Sequence, residues 1–328
     1  MDRMKNFKKI SLELFIVFFL LLNLFLIRTF SKGNSSEIQL KDEKVGYPEY
    51  QIILPSHIQP GKVQIAIILD RSINDILLNG NKIDIFEQKA YNFLILSVPL
   101  GYKKEKIDIE INFNGEKRSF SVPVVNYEPY ESSVIILEPE KAQIRSDSNK
   151  EKIDEENKLI SKIISTKTPY RIFTLPFNYP LKNIAISSNF GKKRDYKDSK
   201  GNYLYSSTHL GVDLKGAKGT EVFASSCGKV VYATNSLTRG NCVYIDHGLG
   251  LYTSYFHMDS INVKQDQIVN ENELIGKMGS TGLSTGPHLH FGVIFNLFNM
   301  DPLFFIKEIN SIDEVYQDYL LKIENPGK

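Results

Sequence analysis

Cysteine is scarce in this chain: Cys227 and Cys242 are the only two among 328 residues. That excludes a disulfide framework and any multi-cysteine zinc or iron–sulfur site. Both fall in a stretch that reads as one β-hairpin, residues 229–233 returning through Arg239-Gly240-Asn241 to 242–245. In that register Cys227 lies several residues from the position opposite Cys242, too far for bridge geometry, so two free thiols are expected. A surplus of charge is lacking as well. Forty lysines and arginines against 38 acidic residues leave a net charge of +2, which offers no long-range field for recruiting nucleic acid. We therefore set nucleic acid aside as a partner. With 42% apolar residues, 328 positions suffice for two ordinary domains, each with a core.

The N-terminus joins charge to hydrophobicity. Arg3, Lys5, Lys8 and Lys9 precede an apolar run from Ile10 to Ile27, the pattern of an export signal. No Ala-x-Ala follows, and Thr29-Phe-Ser31 is the nearest small-residue cleavage candidate; with no cysteine here there is no lipoprotein anchor. The run is slightly short of the roughly 20 residues that span a bilayer comfortably, yet it exceeds most signal-peptide cores, so residues 1–32 are expected to form an uncleaved anchor in the inner membrane, the alternative being a cleaved signal peptide. Its positive flank stays in the cytoplasm and the remainder lies outside it.

Beyond the anchor the fold class reads as mainly β. From Glu49 to about Tyr127, alternation at Val63, Ile65, Ile67 and Leu69, and again at Ile107, Ile109, Ile111 and Phe113, predicts half-buried strands. Asn79-Gly80 and Asn114-Gly115 are hairpin turns, because both central residues of such a turn need positive φ. Residues 33–132 thus read as an immunoglobulin-like β-sandwich. His57, its only histidine, reads as a surface loop residue. Residues 133–182 form a charged helical connector, with Ser148-Asn-Lys-Glu151 as a capping box and Ile153, Leu159, Ile160, Ile163 and Ile164 as an apolar stripe. Strands and glycine turns return over 183–307, and a helix at 308–328 starts from a second capping box, Ser311-Ile-Asp-Glu314, with Ile312, Val315, Tyr316, Tyr319 and Leu320 on one face.

Five of the six histidines fall in that second β region. In "HLGVD", His209 and Asp213 can converge on one metal from a bend. In "HLH", His288 and His290 project to the same side of a strand while Leu289 enters the opposite layer. The same alternation puts Tyr255 and His257 on one face, so that Tyr255 could offer a hydroxyl near an oxyanion or could simply pack. His247 reads as a structural histidine bonded to backbone. A hydrolytic zinc site needs three protein ligands and an open position for water, so four histidines and Asp213 exceed what one ion takes.

The segments "SSNFGKKR", "HLGVDLKGAKGTEVFASSCGKVV", "VYIDHGLGLYTSYFHM", "NELIGKMGSTGLSTGPHLHFGV" and "MDP", in this order over roughly residues 184–303, resemble the lysostaphin/LytM-type zinc metallopeptidases that cut peptidoglycan peptides. The upstream region resembles the immunoglobulin-like domain preceding this peptidase domain in some exported bacterial members. The resemblance implies a LytM-type antiparallel β-sheet domain over 183–307 with one zinc ion held by His209, Asp213 and His290. It implies catalytic roles for His257 and His288, and peptidoglycan as the partner. Asn189 of "SSNF" stands near a place where relatives can carry an asparagine that fills the open metal position; otherwise it is a turn residue. Gly279, Gly282 and Gly286 are expected to shape a loop beside a narrow groove. The activity implied is hydrolysis of amide bonds in stem or cross-bridge peptides through a zinc-activated water. The alternative is a non-catalytic LytM-type protein that binds the wall or activates an amidase; such members usually lack a metal or catalytic residue, and here none is missing.

Overall fold

The computed structural model describes residues 44–324, apart from 48–51, 71, 72, 74, 114 and 127–130. The expected membrane anchor, and Asn114 of the second hairpin turn, lie outside the described residues. The chain is mainly β.

Two sheets make up the N-terminal part. One has five strands, including Ile52–Pro55, Val63–Ile68 and Asn92–Ser97; the other has four, including Ile76–Leu78, Lys106–Phe113 and Glu116–Pro123. Asn79 and Gly80 take φ of 51° and 81° in the turn after Ile76–Leu78, as that turn requires. Ile107, Ile109 and Ile111 alternate inward as expected and meet Ile52, Leu54, Ala66, Ile68, Leu94 and Leu96 across the sandwich. The Val63–Ile68 strand departs from expectation, because all six of its residues are buried, Gln64 included. Its odd-numbered side chains, with Ile53, Phe86, Phe93 and Ile95, belong to a second core that continues into Phe173, Phe177, Phe295 and Phe305. Phe86 stacks on Phe93 at 5.0 Å and reaches Phe173 and Phe295 at 5.8 and 6.2 Å. Alternation reports half-burial only where the polar-looking face meets water, and here that sheet is covered on both sides. His57 is likewise buried rather than on the surface, with Ser56 Oγ at 3.1 Å and Gln59 Nε2 at 3.2 Å.

The connector opens on a strand, Ser132–Leu137, which pairs in parallel with Lys193–Asp198; Tyr203–Thr208 completes a three-stranded sheet. Two helices follow, Pro139–Ile144 and Asp147–Ser165. The proposed capping box is displaced: Ser146 holds the N-cap position without a side-chain cap bond, and Ser148 lies inside the helix. The apolar stripe is narrower than expected. Ile160 is buried against Tyr232, Tyr244, Tyr252 and Ile294, with Ile163 and Ile164 packed beside it, whereas Leu159 is exposed.

The large sheet has ten strands, every pair antiparallel. Its hairpin Gly228–Ser236 and Gly240–Gly248 sets Cys242 opposite Thr234, and both cysteines are free. Strand character ends before the expected 307. Asp301 caps a helix Pro302–Asn310, accepting from the backbone N–H of Leu303 and Phe304, both at 3.1 Å, with Pro302 at the first helical position. The last helix, Ile312–Glu324, follows Ser311, whose hydroxyl donates back to the Glu308 carbonyl at 3.0 Å instead of closing a box forward. Ile312, Val315, Tyr316 and Tyr319 of this helix join the shared core.

Candidate metal centre and active site

Three neighbouring strands of the large sheet carry the site. Val212–Lys215 pairs with His288–Phe295 so that Asp213 lies directly opposite His290, and Leu251–Ile261 places Phe256 opposite His290 on the other side. Leu289 is fully buried in the core, so His288 and His290 project together from the opposite face. His209 arrives from the bend before Val212, where its backbone N–H donates to Lys192 O at 2.9 Å and its carbonyl accepts from Gly191 N at 2.8 Å. Gly211 lets the bend close: a Cβ there would stand 2.5 Å from His290 Nε2 and 2.6 Å from Phe291 O.

His209 Nε2 lies 2.9 Å from Asp213 Oδ1 and 3.0 Å from His290 Nδ1, and His290 Nδ1 lies 3.0 Å from the same carboxylate oxygen. His209 Nδ1–H donates to the Asn189 carbonyl at 2.8 Å, which leaves Nε2 to face Asp213 and His290. Nitrogen and carboxylate lone pairs repel, so this contact needs a proton or a metal ion between them. These three residues are the one group of potential metal ligands found among the described residues. Burial disfavours charge on Asp213, but hydrogen bonds from His209 and His290 outweigh it and hold the carboxyl far below the usual range. Burial pushes the His290 imidazole down to about 4. Its ring stacks on Phe256, centroids 4.9 Å apart and planes at 5°.

The other two histidines sit beside this cluster. His288 Nε2 is 3.7 Å from Asp213 Oδ1, while its Nδ1–H donates to Gly286 O at 2.8 Å. The rings of His257 and His288 lie 4.9 Å apart, and His257 Nδ1–H donates to Thr281 O at 2.9 Å. Each ring thus keeps Nε2 as its acceptor, anchored through Nδ1 on one loop, residues 279–287. Burial, and then the neighbouring His288 and His290, push His257 down to about 3, so it is neutral at ordinary pH. His257 has φ of 63°, rare for a residue with a side chain. The pairing with Gly240–Gly248 jumps there, from Val243 opposite Tyr255 to Asn241 opposite Met258. This bulge inserts one residue and re-aims the side chain.

The bulge also corrects the expectation for Tyr255. Alternation would put it on the face of His257, but Tyr255 is fully buried in the core, its hydroxyl accepting from Ser225 N at 3.0 Å with Thr253 Oγ1 and Ser225 Oγ at 3.0 and 3.2 Å. Asn189 contributes its main-chain carbonyl to His209. His247 is structural as expected, donating from Nδ1 to Cys227 O at 2.8 Å with Nε2 against Thr253 Oγ1 at 2.8 Å. Burial lowers its pKa to about 4 from an ordinary value near 6.5. The unfolded chain therefore binds a proton that the folded chain refuses. Stability is fully present above pH 6.5 and is lost as pH falls toward 4, by up to about 3 kcal/mol from this group. Urea unfolding at pH 7 and pH 5 should show a smaller loss in His247→Gln than in the parent chain; an equal loss would mean that His247 does not carry the effect.

Two contributors escape sequence reasoning. Arg194, from the Lys193–Asp198 strand, donates through Nη2 to Asp213 Oδ2 at 2.5 Å and to Ser188 Oγ at 2.7 Å. Its only sequence signal is a place in "SSNFGKKR", where a run of cations reads as solvated surface. Lys141, in the connector, reaches the loop that anchors both outer histidines.

Residues 207–302 match the model of peptidase family M23. They form an M23 domain. Over 109 residues the chain is 40% identical to the peptidoglycan DD-endopeptidase ShyA of Vibrio cholerae, covering 33% of this chain and 24% of that one. Over 99 residues it is 35% identical to the murein hydrolase activator NlpD of Escherichia coli, covering 30% and 26%. The chain thus spans about a quarter of the length of these relatives. A solved structure of a putative M23 peptidase from Pseudomonas aeruginosa shares the fold over 76% of this chain and 95% of its own, with a TM-score of 0.55 and 22% identity. All five residues expected at the site, His209, Asp213, His257, His288 and His290, lie within the M23 domain, whereas Arg194 and Lys141 lie upstream of it.

Proposed function

We propose that the chain is an exported zinc metalloendopeptidase that hydrolyses amide bonds in the stem or cross-bridge peptides of peptidoglycan. The observation that carries this reading is the division of the site into three converging ligand atoms and two further imidazoles that keep a free Nε2. The ligand atoms stand 2.9–3.0 Å apart, while donors around a tetrahedral zinc at about 2.0–2.1 Å stand about 3.3 Å from one another. A few tenths of an ångström of side-chain movement would admit the ion. Two neutral imidazoles and one carboxylate leave a dication net positive, the donor set of a hydrolytic site. When bound, zinc would supply a Lewis acid that acidifies water and polarises the scissile carbonyl.

The chain's own groups do the rest. His209, Asp213 and His290 hold the ion, and Asn189 O fixes the His209 tautomer. His257 and His288, each tied through Nδ1–H to a backbone carbonyl, offer Nε2 to take the proton of the attacking water and return it to the leaving amine. A ring that has become imidazolium can also donate to the developing oxyanion. ShyA is named as an endopeptidase on peptidoglycan, which agrees with this substrate class. NlpD is named as an activator, and a non-catalytic role is the reading to be defeated. We place the enzyme outside the cytoplasmic membrane, held by residues 1–32, on the charged-then-apolar pattern of that segment.

The exported part incubated with isolated sacculi should release peptide-cleaved fragments. Release should stop with a chelator and return with zinc, and His257→Ala should slow it by about 10²–10⁴-fold. Identical products from the parent and His257→Ala, or no stoichiometric zinc, would leave a binding or activating protein.

A further inference from the structure

The connector before the M23 domain touches the machinery at a point of leverage. Lys141, in the helix Pro139–Ile144, donates to Gly282 O at 2.7 Å and to Ser280 O at 3.3 Å. Between these two carbonyls stands Thr281, whose own carbonyl holds Nδ1 of His257. We propose that Lys141 is a positioning residue for the hydrolysis: by gripping the carbonyls of the residues on both sides of Thr281 it fixes the carbonyl that sets the tautomer and ring plane of His257. The inference rests on the proposed hydrolysis for its kinetic consequence, but its structural part stands without it.

The geometry favours positioning over a removable latch. Lys141 bonds backbone of the 279–287 loop and, among the described residues, makes no hydrogen bond to any of the five site residues. The helix that carries it is tied in on both sides. Before it, Ser132–Leu137 pairs along its whole length with the strand that bears Arg194. After it, Glu156 accepts from Ser236 Oγ at 2.6 Å and from Leu237 N at 3.2 Å, and Asn157 Oδ1 accepts from Arg239 Nη2 at 2.8 Å. Arg239 in turn offers the carbonyl that accepts the His257 backbone N–H at 2.9 Å. The connector therefore supports His257 from two sides, through its main chain at Arg239 and its ring at Thr281.

That support meets a need. His257 sits at positive φ, a conformation that costs of order 1–3 kcal/mol and persists only where surroundings over-determine it. The loop is packed without slack: Gly282 has φ of 68°, and a Cβ there would stand 2.3 Å from Gly240 N. Thr281 Oγ1 further donates to Met258 O at 2.7 Å and accepts from Asn241 N at 2.9 Å. An ammonium shared by two carbonyls adds charge-assisted bonds, roughly twice as strong as neutral ones, where small displacements of the anchor turn the imidazole.

The test uses the exported chain with Lys141→Met and Lys141→Arg, and a soluble cross-linked peptide fragment as substrate. In Lys141→Met, kcat should fall about tenfold, with KM changed less than about twofold, as for a lost orientation of a catalytic group. Bound zinc should stay stoichiometric, because none of its ligands is touched. Lys141→Arg should recover most of kcat. Long-range proton–nitrogen NMR of His257 in the metal-free protein gives a readout independent of activity: the Nδ1–H should exchange with solvent at least about tenfold faster in Lys141→Met. An unchanged kcat with unchanged exchange overturns the proposal, and a rise in kcat overturns it in favour of a restraining latch. If the parent chain cleaves nothing, the hydrolytic reading fails by itself, and the exchange rate alone decides whether Lys141 positions His257.

Discussion

A His290→Ala chain is expected to lose its metal, and a His288→Ala chain to keep it. The two histidines leave the same strand on the same face and invite the same role, yet their surroundings separate them. His290 Nδ1 is within 3.0 Å of both His209 Nε2 and Asp213 Oδ1, while His288 meets only the carboxylate, at 3.7 Å. His288 is instead committed through Nδ1 to Gly286 O. Removing His290 leaves two ligands, too few for a stable site. Removing His288 leaves all three and, on the proposed hydrolysis, takes away a proton-transfer group, with an expected loss of about 10²–10⁴-fold in turnover. Elemental analysis of the dialysed variants together with fragment release from sacculi checks both halves. A His288→Ala chain that purifies without zinc would show that the two roles have been assigned the wrong way round.

The second large effect is expected from a single methyl group. In Gly211→Ala the new Cβ would lie 2.5 Å from His290 Nε2, 2.7 Å from its Cε1 and 2.6 Å from Phe291 O. One of those neighbours is backbone of a fully buried strand position and cannot yield, so the imidazole must. His290 is already pressed flat on Phe256 at 4.9 Å on its other side. Its displacement should weaken zinc binding by about 10–100-fold, the scale seen when ligand orientation is lost. Overpacking should also destabilise the fold by about 1–3 kcal/mol. Gly286→Ala is the control: nothing lies within 4 Å of the added carbon, and zinc affinity should not change. Chelator competition on both variants measures the contrast; equal affinities would mean that the Gly211 bend opens without disturbing His290.

The parts of the site that a reader of the sequence can place are those set by short-range geometry. Strand alternation puts His288 and His290 together whatever the tertiary fold, and a bend can bring His209 to Asp213 over four residues. His257 is different: its motif points to it, but period two would align it with Tyr255, and only a bulge visible in the pairing register turns it away from the core. Lys141 and Arg194 are harder still. Each lies in a charged stretch whose composition signals solvent, and each finds its partner through pairing or packing distant in sequence. In the N-terminal sandwich, Lys106–Phe113 obeys its alternation because its other face is wet. In Val63–Ile68 the one polar residue, Gln64, is buried too, because its face, shared with Ala66 and Ile68, lies inside the sandwich while the odd-numbered face meets the second core.

That doubly covered sheet has a consequence for how the molecule can be divided. Similarity to other proteins draws a border at residue 207, but the packing does not follow it, since Val63, Ile65, Ile67, Phe86 and Phe93 share one interior with Phe295 and Phe305. A fragment cut at that border would turn an oily wall outward and invite aggregation. What behaves as a module in inheritance is, in this chain, an organ that cannot be transplanted without the tissue it has grown into.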